Sequence, residues 1–139
     1  MPLLEERGGH WLLVCADCHL QRFVVYDSFA HPRDLYQESL IHHAIMSIAL
    51  SMLRTSCFGS ALTWDVVRPN CPQQGNGYDH GVFVMAFMDL ISIRPNAWRF
   101  SHHNVRQFRD KCLVSLPRGR IANFPHTLTG FSPLQCLLQ

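Results

Sequence analysis

The chain has 139 residues, enough for one domain with a buried core, and its apolar share of 47% against 16% charged residues is globular. This balance excludes a disordered chain. The formal net charge is only +2, and the eleven arginines and the single lysine, Lys111, form no basic run. Nothing in the charge pattern therefore favours nucleic-acid binding.

The N-terminus has no basic segment followed by an apolar one, so we expect no signal peptide. The longest uncharged stretch of the first predicted helix, residues 39–53, contains two histidines and is too short to span a bilayer. An intracellular protein, nuclear or cytoplasmic, follows as the expectation. Its six cysteines are then expected to be reduced thiols, including the isolated Cys15-x-x-Cys18 pattern at a strand end and turn.

The first half of the chain predicts a hairpin followed by a helix. Two apolar runs, residues 11–16 and 22–26, are joined by a polar connection, which is typical of a β-hairpin. From residue 35 to 54 the apolar positions repeat every 3.6 residues, and Asp34 precedes them as a candidate N-cap.

The second half predicts one more strand and two helices. The strand covers residues 62–69, where Pro69 ends it, and the apolar segment "HGVFVMAFMDLI" that begins at His80 predicts a buried helix. A last helix is expected over residues 103–116. The order β-β-α-β-α-α indicates an α+β fold. One domain is expected over residues 1–116, followed by a tail at 117–139 that is a candidate for flexibility.

Four polar residues at element ends form a candidate catalytic set: His10, Asp27, Gln74 and His80. If the hairpin pairs in register, His10 and Asp27 fall side by side, as a base and the carboxylate that orients it. Gln74 lies in the loop "CPQQGNGYDHG" and could donate to an oxyanion. His80 begins the buried helix, where a thiolate nucleophile would be stabilised.

The motifs "HW" at residue 10, "YDS" at 26 and "PQQGNGYDHG" at 72 resemble those of the SUMO-protease (SENP-type) family, which is grouped with the adenain-like cysteine proteases. The likeness continues to "NVRQFRDKCLVSL" and covers residues 8–116. It implies a papain-like α+β fold and cleavage after the C-terminal glycine of a ubiquitin-like modifier of the SUMO or Nedd8 type. It implies neither a cofactor nor a metal, and its partner is the modifier, not nucleic acid or membrane.

The resemblance also implies roles for particular residues. His10 matches the general base, Asp27 its orienter, Gln74 the oxyanion-hole glutamine, and Trp11 the tryptophan that lines the channel for the substrate glycine. The nucleophilic cysteine of the family falls on His80. Imidazole does not replace a thiolate in the usual acyl-enzyme sequence, so we expect a degenerate, inactive protease.

One further departure is expected from the same comparison. The family carries an N-terminal lobe ahead of the "HW" strand, and we expect that lobe to be missing. Cys71 is in the active-site loop, but it is nine residues from position 80 and precedes a proline, which makes it a poor substitute nucleophile.

Several alternatives stay open at the level of sequence. Asp79 is interpreted as a helix cap, and a metal shared by His10 and His80 lacks an evident third ligand. The chain could be a non-catalytic module that binds a ubiquitin-like protein. It could also be an active deSUMOylating peptidase, if His80 is an engineered or artefactual change from cysteine.

Overall fold

The structure, a computed structural model, describes residues 1–29, 32, 34–54, 61–93 and 100–115. The predicted tail at 117–139 and Leu116 lie outside the described residues.

The chain divides into two compact units, Met1–Cys71 and Pro72–Gln139. The elements are β1 (Pro2–Glu5), β2 (His10–Asp17), β3 (Arg22–Tyr26), α1 (Leu35–Arg54), a 3₁₀ turn (Ala61–Thr63), β4 (Asp65–Val67), α2 (His80–Ile93), a second 3₁₀ turn (His102–Asn104) and α3 (Val105–Ser115). The predicted α+β class is confirmed.

The first unit contains a mixed sheet with the strand order β1-β2-β3-β4. The predicted hairpin is formed by β2 and β3, which pair antiparallel with Leu13 opposite Tyr26. Strand β1 was not predicted; it pairs antiparallel with β2 and places Glu5 opposite His10. Strand β4 pairs parallel with β3.

The strand predicted over residues 62–69 is shorter than expected. Ala61–Thr63 form a 3₁₀ turn, and β4 covers only Asp65–Val67. Between the two, the ring of Trp64 packs against the ring of Phe23 at 5.5 Å. Trp64 therefore packs on the sheet from the link between the 3₁₀ turn and β4. The apolar pattern of this segment did not distinguish a turn followed by a short strand from one longer strand.

Helix α1 has the predicted bounds and cap. The Asp34 carboxylate accepts a hydrogen bond from the backbone N–H of Gln37 at 2.8 Å, as an N-cap does. The apolar side of α1 packs on one face of the sheet, which buries nine side chains among the described residues. They are Leu12, Val14, Phe23, Val25, Ile41, Ala44, Ile45, Ala49 and Ala61.

The second unit is built on α2 and α3. Buried aromatic rings connect them: Phe83 of α2 contacts Phe100 at 5.0 Å, and Phe100 contacts Phe108 of α3 at 5.9 Å. Helix α2 is less completely buried than predicted, because Met85 and Met88 are about half exposed. Helix α3 begins at Val105, two residues later than predicted, after the second 3₁₀ turn.

Candidate active site

His10 and Asp27 are brought together by the pairing of β2 with β3. His10 is the first residue of β2, and Asp27 directly follows β3. The imidazole Nε2 of His10 lies 2.8 Å from Asp27 Oδ1, and both residues are less than 10% exposed. The His10–Asp27 pair expected from strand register is therefore present as a buried hydrogen bond.

The chemistry of this bond assigns the proton. An ionised carboxylate can only accept, so Nε2 of His10 must be the donor. In the neutral imidazole the lone pair is then on Nδ1, which is the nitrogen able to take a proton from a nucleophile. The local geometry is that of a base held in one tautomer by an orienting carboxylate.

Two further contacts hold Asp27. Its Oδ1 accepts a second hydrogen bond, at 3.0 Å, from the backbone N–H of Phe29, which closes an Asx-turn. The buried thiol of Cys71 donates to the backbone carbonyl of Asp27 at 3.1 Å. Cys71 is thus hydrogen-bonded to the residue that pairs with His10.

The turn that leads into His10 is organised by a buried carboxylate. Glu5 is 4% exposed and accepts the backbone N–H groups of Arg7 at 2.9 Å and Gly8 at 2.7 Å. Gly9 has φ +65°, in the left-handed region that suits glycine. The Arg7 guanidinium lies 4.1 Å from the centre of the Tyr36 ring, which connects this turn to α1.

In the second unit, Gln74 lies in a loop with its own hydrogen bonds. Gln74 is 9% exposed, and its side-chain amide donates to the backbone carbonyl of Asn76. The Asn76 side chain accepts from the backbone N–H groups of Tyr78 at 3.1 Å and Asp79 at 3.0 Å. These bonds fix the loop that precedes α2.

His80 is the first residue of α2 and is half-buried. The backbone carbonyl of Asp79 accepts the first helical bond, from the N–H of Phe83 at 3.1 Å, so Asp79 occupies the cap position that the sequence predicts. Its carboxylate accepts from Asn76 Nδ2 and from Arg109 Nη2 of α3, each at 2.7 Å. The Asp79 side chain therefore ties the loop to α3.

The pKa of Asp79 is lowered by this environment. Burial acts to raise it, but the hydrogen bonds from Asn76 and Arg109, together with the positive charges of Arg109 and His80, outweigh that effect. A charged carboxylate thus directly precedes His80, the first residue of α2.

Trp11 is half-buried on β2, opposite Leu4 of β1. Successive residues of a strand point to opposite faces, so Trp11 and His10 lie on different sides of β2. Its assignment to a substrate channel stays a prediction.

Burial disfavours the thiolate form of two cysteines in the described part of the chain. Burial raises the pKa of Cys15 on β2 and of Cys112 on α3, which favours the unreactive thiol over the thiolate. Cys18 is exposed in the turn after β2, and Cys57 and Cys136 lie outside the described residues.

Within the described ranges, no three metal-binding side chains are close enough to hold an ion. None of the helices described there is both long and apolar enough to cross a bilayer.

Sequence reasoning missed three contributors to these sites. The Phe29 N–H bonds to Asp27 in an Asx-turn, for which the aspartate itself is the local signal. Glu5 could have been found from its position before the glycine-containing turn "ERGGH". Arg109 carries no local signal, because its contact with Asp79 spans 30 residues.

A mixed sheet with helices and a buried His–Asp pair at adjoining strand ends is the architecture of a papain-like cysteine-protease domain. The profile of the Ulp1 protease family, C-terminal catalytic domain, matches residues 1–117. Because this match spans most of the chain, the chain belongs to that family. The resemblance stated from the sequence motifs is confirmed.

Solved structures of the same family share the fold. The C-terminal Ulp1 protease domain in complex with Smt3, the yeast ortholog of SUMO, matches with a TM-score of 0.60 and 21% identity over 78% of this chain. The SUMO protease Ulp1 with its catalytic cysteine oxidised to a sulfinic acid matches with a TM-score of 0.61, also at 21% identity over 78% of this chain. The chain spans about half of each, 47% and 48% respectively. No curated protein sequence matches the chain.

Proposed function

We propose that this chain is a non-cleaving domain of the SUMO-protease family that binds a ubiquitin-like modifier and retains the base and orienter of the ancestral enzyme. The observation that carries the proposal is the buried 2.8 Å bond between His10 and Asp27, in a chain with histidine at position 80. Strand pairing keeps His10 and Asp27 in place, whereas the thiol that they would activate is replaced by histidine at position 80.

Loss of the nucleophile is the reason for expecting no cleavage. In a thiol protease the base deprotonates a cysteine, which attacks the carbonyl and later leaves as a thiolate. His80 supplies no thiol, and removal of a triad nucleophile costs on the order of 10⁶-fold in turnover in the subtilisin case. Cys71 makes a poor replacement, because it is buried and its thiol donates to a backbone carbonyl.

Two observations support a ubiquitin-like partner. The chain belongs to a family in which a solved relative, the Ulp1 domain, is in complex with Smt3. It also keeps the tryptophan after His10, at the position that the family resemblance assigns to the channel for the substrate glycine. The proposed site of action is the nucleus or cytoplasm, where such modifiers are attached and removed.

The catalytic half of the proposal is tested by restoring the thiol. The chain, its His80→Cys variant and the double variant His80→Cys/His10→Ala are incubated with fluorogenic C-terminal SUMO and Nedd8 substrates. They are also incubated with modifier probes that carry a thiol-reactive C-terminal group. We expect turnover and labelling at position 80 in the single variant alone.

Each other outcome contradicts a defined part of the proposal. Turnover by the unaltered chain would show that cleavage survives without a cysteine at position 80. A folded His80→Cys variant without turnover would show that the retained groups no longer form a working site. Binding is measured separately, by titrating the unaltered chain and its Trp11→Ala variant with each modifier; absence of binding to every modifier contradicts the partner assignment.

A further inference from the structure

We infer that Phe29 is a positioning residue for the His10–Asp27 pair, holding the carboxylate with its backbone N–H and covering the imidazole with its ring. The inference rests on the proposed role of the pair as base and orienter. It assigns a task to a residue outside the catalytic set that the sequence motifs define.

The backbone contact fixes the carboxylate. Asp27 Oδ1 accepts from His10 Nε2 at 2.8 Å and from the Phe29 N–H at 3.0 Å, so both donors converge on one oxygen. Ser28, between Asp27 and Phe29, is 1% exposed, which holds the turn against the protein. A carboxylate held by two donors has little freedom to rotate away from the imidazole.

The ring of Phe29 covers the other member of the pair, His10. The Phe29 and His10 rings lie 6.0 Å apart between centroids, tilted by 50°. His10 is at the end of a strand, where a side chain is commonly open to water, yet it is 6% exposed. An apolar cover lowers the local dielectric and strengthens the hydrogen bond beneath it.

A purely structural role accounts less well for this residue. Phe29 is 38% exposed, whereas the core aromatic residues Phe23, Phe83 and Phe87 are 1% exposed or less. A half-exposed phenylalanine recovers only part of the free energy of burial. Its N–H bonds to Asp27 and its ring contacts His10, so both members of the pair touch it.

The test reads the hydrogen bond itself in the full chain with His80 in place, so it needs no catalytic activity. Imidazole ¹⁵N–¹H spectra report the proton on His10 Nε2 and its rate of exchange with water. We compare the chain with Phe29→Ala, which removes the ring, and Phe29→Leu, which keeps an apolar cover. Leu53→Ala is the matched control, because Leu53 is 36% exposed on α1 and distant in sequence.

We expect exchange of the Nε2 proton to become faster by about tenfold or more in Phe29→Ala, to be largely rescued in Phe29→Leu, and to be unchanged in Leu53→Ala. Unchanged exchange in Phe29→Ala would overturn the inference. An equal acceleration of Nε2 proton exchange in Phe29→Ala and Leu53→Ala, together with equal losses in the free energy of unfolding, would overturn it too. If Phe29→Ala does not fold, Phe29→Leu decides: its Nε2 proton must stay protected.

Failure of the Phe29 inference can be distinguished from failure of the proposed function. Inactivity of the His80→Cys variant leaves the Nε2 proton measurable in the chain with His80. Conversely, a null effect at Phe29 leaves the turnover and binding experiments unaffected.

Discussion

His10 and Asp27 are hydrogen-bonded across β2 and β3 although they are not register partners. Leu13 faces Tyr26, so continuing the pairing by one residue sets Leu12 beside Asp27, and His10 lies two residues further along β2. Such diagonal neighbours share a face of the sheet and are within reach of longer side chains. The pair depends on register, because a slip of one residue would place the two side chains on opposite faces.

The tautomer of His10 should depend on the charge of Asp27. In Asp27→Asn the side-chain amide can donate as well as accept. We therefore expect the His10 ring to become a mixture of its two tautomers instead of the Nε2–H form alone. The ¹⁵N shifts of the His10 ring report this when Asp27→Asn is compared with the unaltered chain. In the His80→Cys background turnover should fall on the order of 10⁴-fold, as for the orienting aspartate of a serine-protease triad.

The control for this experiment is Asp17→Asn, at the opposite end of the same hairpin. Asp17 forms an ion pair with Arg22 at 3.4 Å, so its replacement also removes a charge from the sheet. An unchanged His10 tautomer in Asp27→Asn, or an equal change in Asp17→Asn, would argue against Asp27 as the orienter.

The turn before His10 should not tolerate a side chain at Gly8. A Cβ there would lie 2.7 Å from Glu5 Oε2, the atom that accepts the N–H of Gly8 itself. The buried carboxylate must then move and lose a hydrogen bond. We expect Gly8→Ala to lower the free energy of unfolding by about 1–2 kcal/mol, measured by urea denaturation.

Gly77→Ala is the matched comparison, since a Cβ at Gly77 meets no described atom within 4 Å. Its free energy of unfolding should stay within about 0.5 kcal/mol of the unaltered chain. Equal stabilities of the Gly8 and Gly77 variants would mean that Glu5 adjusts freely and does not hold the turn.

The elements that the sequence predicted well are those whose signals are local. The hairpin and α1 have apolar patterns and a cap within their own segments, and both are found with nearly the predicted bounds. Strand β1 has four residues and owes its structure to pairing with β2. Such a strand has no periodic pattern of its own, and the three-residue β4 was for the same reason predicted too long.

The same division applies to the candidate site. The contact of His10 with Asp27 was predictable, because strand pairing converts sequence position into proximity. The bond from Cys71 to Asp27 spans 44 residues, and that from Arg109 to Asp79 spans 30. No spacing rule connects residues so far apart, so these contacts required the tertiary structure.

The lowered pKa of Asp79 makes a prediction about acid stability. Hydrogen bonds from Asn76 and Arg109 and nearby positive charge favour the charged form against burial, so the pKa in the folded state is below the unfolded value of about 3.9. The stabilisation is then complete above the unfolded pKa and is lost as pH falls through the folded pKa. Asp79→Asn should be less stable than the unaltered chain at pH 7, and the difference should shrink below about pH 4.

Urea denaturation between pH 7 and pH 3 measures this difference. Asp65→Asn, at an exposed position of β4, serves as the control and should change the free energy of unfolding by less than about 0.5 kcal/mol. A gap between Asp79→Asn and the unaltered chain that stays constant down to pH 3 would contradict the assignment of the pH dependence to this carboxylate.

Lys111, the single lysine, forms a buried ion pair with Asp89 that joins α3 to α2. The distance between Nζ and Oδ2 is 3.2 Å, and the side chains are 2% and 16% exposed. Removing the carboxylate leaves an ammonium in the interior without its counter-charge, so Asp89→Leu should lower the free energy of unfolding by about 3 kcal/mol. Lys111→Met should do less, because the carboxylate left behind is nearer to water and the new side chain fills the same space.

The double variant Asp89→Leu/Lys111→Met completes a thermodynamic cycle that isolates the pair. With both charges replaced by apolar groups of similar volume, the desolvation penalty disappears, and stability should return to within about 1 kcal/mol of the unaltered chain. Urea denaturation of all four proteins gives the coupling free energy. If the two single losses simply add in the double variant, Asp89 and Lys111 act independently and the pair does not join the helices.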